Sequence, residues 1–250
     1  EEMLVDLDTI ERIDPGNSIG AYYRALCYSK LNRNPADAVG HIQNALKKNK
    51  PDQYLLTALG REYLRDSRAD LADKWFNKAL EIDTAYQPAH VGLLATYEAL
   101  ENTSKGAEAY ERYISSFPAD VNVRKGYIHL LLELKNYDIA IKQLHAAASY
   151  LDGDLEMERL MAYCCRQTGQ FREASVIYKN LLKADPKNEQ YLRSLVYCLE
   201  ASDNRKTSID LLANAFKFLK PSVDLRLIYG VLLFREKQDE KALAEFRLVL

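Results

Sequence analysis

Large apolar side chains recur along the chain with a spacing of 34 residues, and small side chains recur at a fixed distance from them. One large series comprises Leu59, Leu93, Tyr127, Met161, Leu195 and Tyr229, and another comprises Phe76, Tyr110, Leu144, Tyr178, Leu212 and Phe246. The small series comprises Ala72, Gly106, Ala140, Ala174, Ser208 and Ala242. A period held over this many steps indicates tandem structural repeats.

Each period contains two segments in which apolar residues stand three or four apart, which is the spacing of one face of an α-helix. Short polar turns such as 66–68 and 168–170 separate the two segments, and Gly169 suits a left-handed helix end. Pro15, Pro51, Pro118, Pro186 and Pro221 are predicted to end second helices, since proline cannot continue a helix. The small series lets the two helices of a pair approach closely.

The sequence therefore predicts an all-α fold of stacked helix pairs, because one pair cannot bury its own apolar face. The predicted domains are the second helix of a truncated repeat at 1–17, six repeats at 18–52, 53–86, 87–120, 121–154, 155–188 and 189–222, and a truncated seventh at 223–250. Because the pattern begins and stops inside repeats, we expect a fragment of a longer array, whose apolar ends favour end-to-end self-association.

The best-defined repeat resembles the tetratricopeptide repeat (TPR) through Leu56, Leu59, Gly60, Tyr63, Ala72, Phe76 and Ala79, and the segment 163–174 is also similar to that family. The resemblance covers essentially the whole chain. It implies a right-handed superhelical solenoid of antiparallel helix pairs, in which the first helices line a concave groove. It further implies a non-catalytic scaffold for protein–protein interaction.

Composition and motifs argue against several classes of function. The net charge of -2 gives no basic excess for nucleic acid, and the longest apolar stretches, of about eight residues, predict no membrane insertion. Phosphate-binding loops, metal-ligand pairs and nucleophile motifs are absent from the sequence, so we predict no enzyme activity and no cofactor. Four cysteines without C-x-x-C spacing favour a reducing compartment such as the cytoplasm, with the periplasm left open.

Packing accounts for most of the other noticeable residues. Cys27, Cys164 and Cys198 fall at the tenth repeat position, where a small residue packs between helices, and Cys165 falls at the next, core position. A vicinal redox pair at 164–165 is the alternative interpretation. The four histidines are expected on the surface or in the groove, and the tyrosines of the large series in the core.

The family geometry assigns the groove to the second, fifth, ninth, twelfth and thirteenth positions of each repeat. These groove positions carry more Lys and Arg than Asp and Glu, on a chain that is acidic overall. From the fourth to the sixth repeat, cations and aromatic rings alternate along one line. The predicted binding residues are Arg61, Arg65, Lys125, His129, Arg159, Tyr163, Arg166, Arg193 and Tyr197. The opposing interpretation is a solvated groove in which Glu133, Glu156 and Glu200 pair with these cations.

The sequence thus predicts an interaction scaffold that binds an extended peptide or a partner helix, with acidic character favoured by the groove. The alternative is a TPR region of a larger envelope, polysaccharide-export or glycosyltransferase assembly, which positions a polymer or partner subunits. Heat-shock chaperone tails are disfavoured as partners. The carboxylate clamp that binds such tails would need Asn, Lys and Arg where this chain has Leu160, Gln190 and Ser194.

Overall fold

A computed structural model describes residues 2–150 and 153–249. Residues 1, 151, 152 and 250, which belong to the predicted domains 1–17, 121–154 and 223–250, lie outside the described residues. Within the described ranges the chain forms fifteen α-helices and one short 3-10 helix, with no β-strand. This confirms the predicted all-α fold.

The helices alternate between first and second members of antiparallel pairs, after a lone second helix α1 (Glu2–Ile13). The first helices are α2 (Ser18–Lys30), α4 (Gln53–Arg65), α6 (Gln87–Ala99), α8 (Val121–Glu133), α10 (Leu155–Gln167), α12 (Glu189–Ala201) and α14 (Val223–Arg235). The second helices are α3 (Pro35–Lys48), α5 (Ala69–Ile82), α7 (Thr103–Ser116), α9 (Tyr137–Ala147), α11 (Phe171–Ala184), α13 (Arg205–Ala215) and α15 (Asp239–Arg247). The 3-10 helix Ala148–Tyr150 follows α9.

Side-chain caps fix where most first helices begin. Asp52 accepts a hydrogen bond from the backbone N–H of Leu55, and Asn188 accepts one from Tyr191. The corresponding residue before α6 is Tyr86, which makes no such bond, and there Pro88 in the first turn supplies the helical φ instead. Short polar residues at a spacing of 34 or 35 residues therefore set the start of most pairs.

The turn inside each pair contains one residue with positive φ, and these residues also follow the 34-residue spacing. Gly169 has φ of +78°, whereas the equivalent non-glycine residues have values between 50° and 58°. These are Asn32, Ser67, Glu101, Lys135, Asp203 and Lys237. Left-handed backbone at this position closes each first helix and turns the chain into the second.

Two compact units divide the chain between Leu130 and Leu131, inside α8. In the N-terminal unit a continuous core runs from α1 to α7, and the Phe76 ring lies between the backbones of Gly60 and Gly92. In the C-terminal unit a core of α12 to α15 is built on residues such as Leu212 and Leu225. Four of the tyrosines predicted as core, Tyr63, Tyr97, Tyr127 and Tyr178, are confirmed as buried, and Tyr110 and Tyr229 are partly buried.

Two sequence expectations were wrong. His90 is buried, with 4% of its surface exposed, because its ring packs against Tyr113 and Phe117 while Nε2 lies 2.9 Å from the Thr84 carbonyl oxygen. Pro221 does not end α13, because that helix already stops at Ala215 and a turn follows.

None of the helices in the described ranges combines the length and the apolar character that a membrane crossing requires.

Candidate functional site

A cleft of about 1000 Å³ opens in the C-terminal unit along the inner faces of α12 and α14. From α12 it is lined by Gln190, Arg193, Tyr197, Glu200 and Ala201, which are the five groove positions of that repeat. From α14 it is lined by Leu227, Val231 and Arg235, again at groove positions. Arg166 of α10 and Arg205, the first residue of α13, complete its polar wall.

Both α12 and α14 pack on α13, the second helix that lies between them in the chain. α13 has 11 residues, against 14 in α5 and α11. α12 packs on α13 less extensively than α10 packs on α11, whereas in the N-terminal unit α4 lies directly against both α2 and α6. Among the described residues no extensive contact joins α12 to α14, and the cleft lies between these two helices.

Ion pairs cross the cleft at both ends and leave its middle apolar. Arg193 Nη1 lies 3.6 Å from Asp224 Oδ2 at one end, and Arg235 Nη1 lies 3.9 Å from Glu200 Oε2 at the other. The apolar middle is formed by Tyr197, Leu227 and Val231, whose side chains are 53%, 39% and 40% exposed. The pair of Arg193 with Asp224 is exposed on both sides and contributes about 0–1 kcal/mol, so it presents little resistance to a competing ligand.

The arginines of the cleft differ in what already neutralises them. Arg205 contacts two carboxylates, Glu200 at 3.2 Å and Glu236 at 3.3 Å, and the hydrogen bond and charge of Glu200 raise its pKa. Arg166 instead lies against two aromatic rings, with its guanidinium carbon 5.6 Å from the centroid of Tyr163 and 5.6 Å from that of Tyr197. In the described part of the chain no carboxylate pairs with Arg166, and its Nε is buried without a hydrogen-bond partner.

Tyr178, on α11, also interacts with Arg166, but it does not neutralise it. Burial raises the pKa of the Tyr178 hydroxyl above its ordinary value of 10.0, so the phenol stays uncharged near neutral pH. Arg166 therefore keeps an unbalanced positive charge, held in a fixed orientation by rings on both sides.

Of the predicted binding residues, the structure brings Arg166, Arg193 and Tyr197 together in the cleft. Tyr163 adjoins them through Arg166 and an edge-to-face contact with Tyr137. Arg159 is exposed on α10 but does not line the cleft.

The other four predicted residues lie in the N-terminal unit. Arg61 and Lys125 are half-buried on α4 and α8, and His129 is exposed on α8. Arg65 has a structural role instead: it pairs with the buried Glu62 at 2.5 Å and donates to the Arg33 carbonyl oxygen at 2.9 Å. It therefore ties α4 to the turn between α2 and α3.

The sequence did not single out the aliphatic residues Leu227 and Val231, although they stand at groove positions, because aliphatic side chains at helical spacing are equally typical of core packing. It also missed a row of tyrosine rings in the N-terminal unit. The Tyr22, Tyr54 and Tyr86 rings stand edge to face, with centroids 6.1 and 5.4 Å apart, beside a pocket of about 420 Å³. The sequence signal was their recurrence every 32 residues, which lies outside the main period.

The vicinal cysteines do not have the properties of a redox pair. Burial raises the pKa of the Cys164 thiol to about 11 and that of Cys165 to about 12. A reactive cysteine requires a lowered thiol pKa and access to solvent, so these two residues are core groups. The described residues contain no cluster of His, Cys, Asp or Glu side chains that suits a metal ion.

Comparison with known proteins identifies the repeat. The sequence profile of the tetratricopeptide repeat matches residues 31–87 and again residues 131–196. No curated protein sequence matches the chain.

Solved structures share the fold at low sequence identity. A tetratricopeptide repeat protein from Parabacteroides merdae is 16% identical, with a TM-score of 0.52 over 92% of this chain and 90% of its own. YrrB, described as a TPR protein with an unusual peptide-binding site, is 18% identical, with a TM-score of 0.53 over 78% of this chain and 97% of its own. MamA from AMB-1 is also 18% identical, with a TM-score of 0.51 over 70% and 97% of the two chains.

Proposed function

We propose that this chain, which belongs to the tetratricopeptide-repeat family, is a non-catalytic scaffold that binds an extended peptide segment of a partner protein in the cleft between α12 and α14. The observation that carries the proposal is the cleft itself, where exposed apolar side chains stand between charged ends on the inner faces of two first helices. Peptide-binding sites combine an apolar contact surface with a few polar groups that fix orientation.

The size of the cleft favours an extended segment over a partner helix. The lining on α12 runs from Gln190 to Ala201, a rise of about 17 Å, which about five residues of an extended peptide or about eleven residues of a helix would span. Isolated helices shorter than about 12 residues are marginal in water. A short segment therefore binds at lower entropic cost when it is extended.

The nature of the lining also favours a peptide over a polysaccharide. Among the described residues that line the cleft, one is aromatic, the exposed Tyr197. Leu227 and Val231, on the other side of the cleft, are aliphatic. Sugar rings stack on aromatic faces, whereas aliphatic side chains of a peptide pack well against leucine and valine.

An unbiased phage-displayed octapeptide library, panned on the protein, tests the proposal. We expect enriched peptides to bind the protein when they are synthesised with a fluorescein label, and their binding to be lost in Val231→Trp, because the larger side chain fills the middle of the cleft. Val176→Trp is the matched control, since Val176 is similarly apolar and exposed on α11, outside the cleft lining. Peptides that bind Val231→Trp as tightly as the wild type would refute this site.

A further inference from the structure

We infer that the cleft selects peptides in which a carboxylate stands two residues from an aliphatic side chain, with the carboxylate bound by Arg166 and Arg193 and the aliphatic group by Leu227 and Val231. This inference rests on the proposed function and names the class of ligand. It is carried by the balance of charge in the cleft and by the position of its apolar middle.

The lining contains four arginines and one carboxylate. Asp224 and Glu236 pair with Arg193 and Arg205 beside it, so four cations face three carboxylates and a small positive excess remains. Glu200 is the one acidic lining residue, and its nearest cation is Arg205 at 3.2 Å, with Arg235 more distant at 3.9 Å. Arg205 is further balanced by Glu236. In the described chain the three carboxylates thus pair with Arg193, Arg205 and Arg235, and none of them pairs with Arg166.

Arg166 is prepared to bind an anion. The rings of Tyr163 and Tyr197 hold its guanidinium in place, so little side-chain entropy remains to be lost when a ligand binds. A partly buried charge without a counter-ion is unfavourable, and a ligand carboxylate relieves that cost. Arginine also matches the planar geometry of a carboxylate with two parallel hydrogen bonds.

Arg193 supplies the second cation, and its present partner is easily displaced. The pair with Asp224 is 3.6 Å long, with 47% of the arginine side chain and 69% of the aspartate side chain exposed. Asp224 therefore competes with the ligand carboxylate for Arg193. Removing the Asp224 carboxylate should leave Arg193 free to bind the ligand and so tighten binding. Damage to the fold would weaken binding instead.

The aliphatic part of the motif follows from the neighbouring surface. Leu227 and Val231 are one helical turn apart on α14, so their side chains form a continuous apolar patch beside the arginines. Alternate side chains of an extended peptide point the same way, with a rise of about 3.3 Å per residue. A carboxylate and an aliphatic side chain that stand two residues apart therefore face the cleft together, one towards the arginines and the other towards this patch.

The octapeptide library supplies the first readout, since the inference predicts enrichment of Asp or Glu near Leu, Ile or Val. The most enriched peptide is then synthesised with a fluorescein label, together with the same peptide in which Glu is replaced by Gln, or Asp by Asn. Fluorescence anisotropy should show that the carboxamide peptide binds about tenfold more weakly, because a charge-assisted hydrogen bond is lost. The tenfold difference should shrink as salt is added.

Two variants assign the effect to the named residues. Arg166→Gln should bring the affinities of the carboxylate and carboxamide peptides to within about twofold of each other. Asp224→Asn should bind the carboxylate peptide about two- to fivefold more tightly than the wild type. Arg172→Gln is the matched control, because Arg172 is exposed on α11, and this variant should leave the tenfold difference unchanged.

The outcomes separate this inference from the proposed function. Enriched peptides without acidic residues, or equal binding of carboxylate and carboxamide peptides that Val231→Trp still blocks, would overturn the acidic-ligand inference and leave peptide binding in the cleft intact. Weaker binding by Asp224→Asn, or tighter binding of a phosphoserine peptide than of the glutamate peptide, would also overturn it. Failure of Val231→Trp to reduce binding refutes both.

Discussion

At the scale of single residues, burial decides what the cysteine thiols can do. Cys164, Cys165 and Cys198 are buried, and burial raises their thiol pKa values to about 11, about 12 and about 11. Because the thiolate is the reactive form, these thiols should react negligibly with a water-soluble disulfide reagent at about pH 8. Cys27 is only partly buried, so it should account for the one rapidly reacting thiol in a spectrophotometric titration.

The Cys27→Ser variant is the control for that titration. It should abolish the rapid phase, while denaturation of the wild type in urea should release all four thiols. Two rapidly reacting thiols that persist in Cys27→Ser would show that the 164–165 pair is accessible, which would restore the redox interpretation. The pH dependence has a fixed sign: the pKa values are raised, so reaction of the buried thiols should increase only as the pH rises above about 9.

At the scale of helices, the left-handed turn inside each pair is a recurring site of backbone strain. Gly169 adopts its φ of +78° without steric cost, whereas Glu101 adopts a φ of +51° at the equivalent position. A non-glycine residue in this region costs about 1–2 kcal/mol, part of which glycine loses again through its more flexible unfolded state. We therefore expect Glu101→Gly to raise the free energy of unfolding by up to about 1 kcal/mol.

The reverse change is the matched experiment. Gly169→Ala should lower the free energy of unfolding by about 1 kcal/mol, although an added Cβ meets no atom within 4 Å. Urea unfolding measures both variants. Stabilisation by Gly169→Ala would contradict the strain argument, since alanine would then gain from reduced entropy alone.

Most of the helical architecture could be predicted from the sequence, because repeat spacing, cap residues and turn residues are local signals. The family geometry assigned Arg166, Arg193 and Tyr197 to one groove, and in the structure these three residues line one cleft. The sequence could not show that α13 stops at Ala215, because residues 216–219 are apolar enough to continue it. It also could not show that Arg65 forms an ion pair with Glu62, because the burial of Glu62 depends on tertiary packing.

At the scale of the whole molecule, stability is assembled from contacts between neighbours. Within each of the two compact units, the extensive helix–helix contacts join elements that are adjacent or next but one along the chain. In repeat proteins of this kind the free energy is approximately a sum of terms for each repeat and for its interfaces with the next. A local defect should therefore weaken its own neighbourhood and leave distant repeats unchanged.

Gly92→Ala tests this locality, because a Cβ on Gly92 would overlap the Phe76 ring, which already contacts Gly60 on its other side. Overpacking of this kind costs about 1–3 kcal/mol, so hydrogen–deuterium exchange should show about tenfold or greater loss of protection in α4 to α7. Amides in α10 to α12 should be unaffected. Gly40→Ala is the control, since its Cβ would meet open space on α3 and alanine favours a helix. Equal loss of protection in α10 to α12 would mean that the chain unfolds as one cooperative body and that nearest-neighbour stacking does not describe its stability.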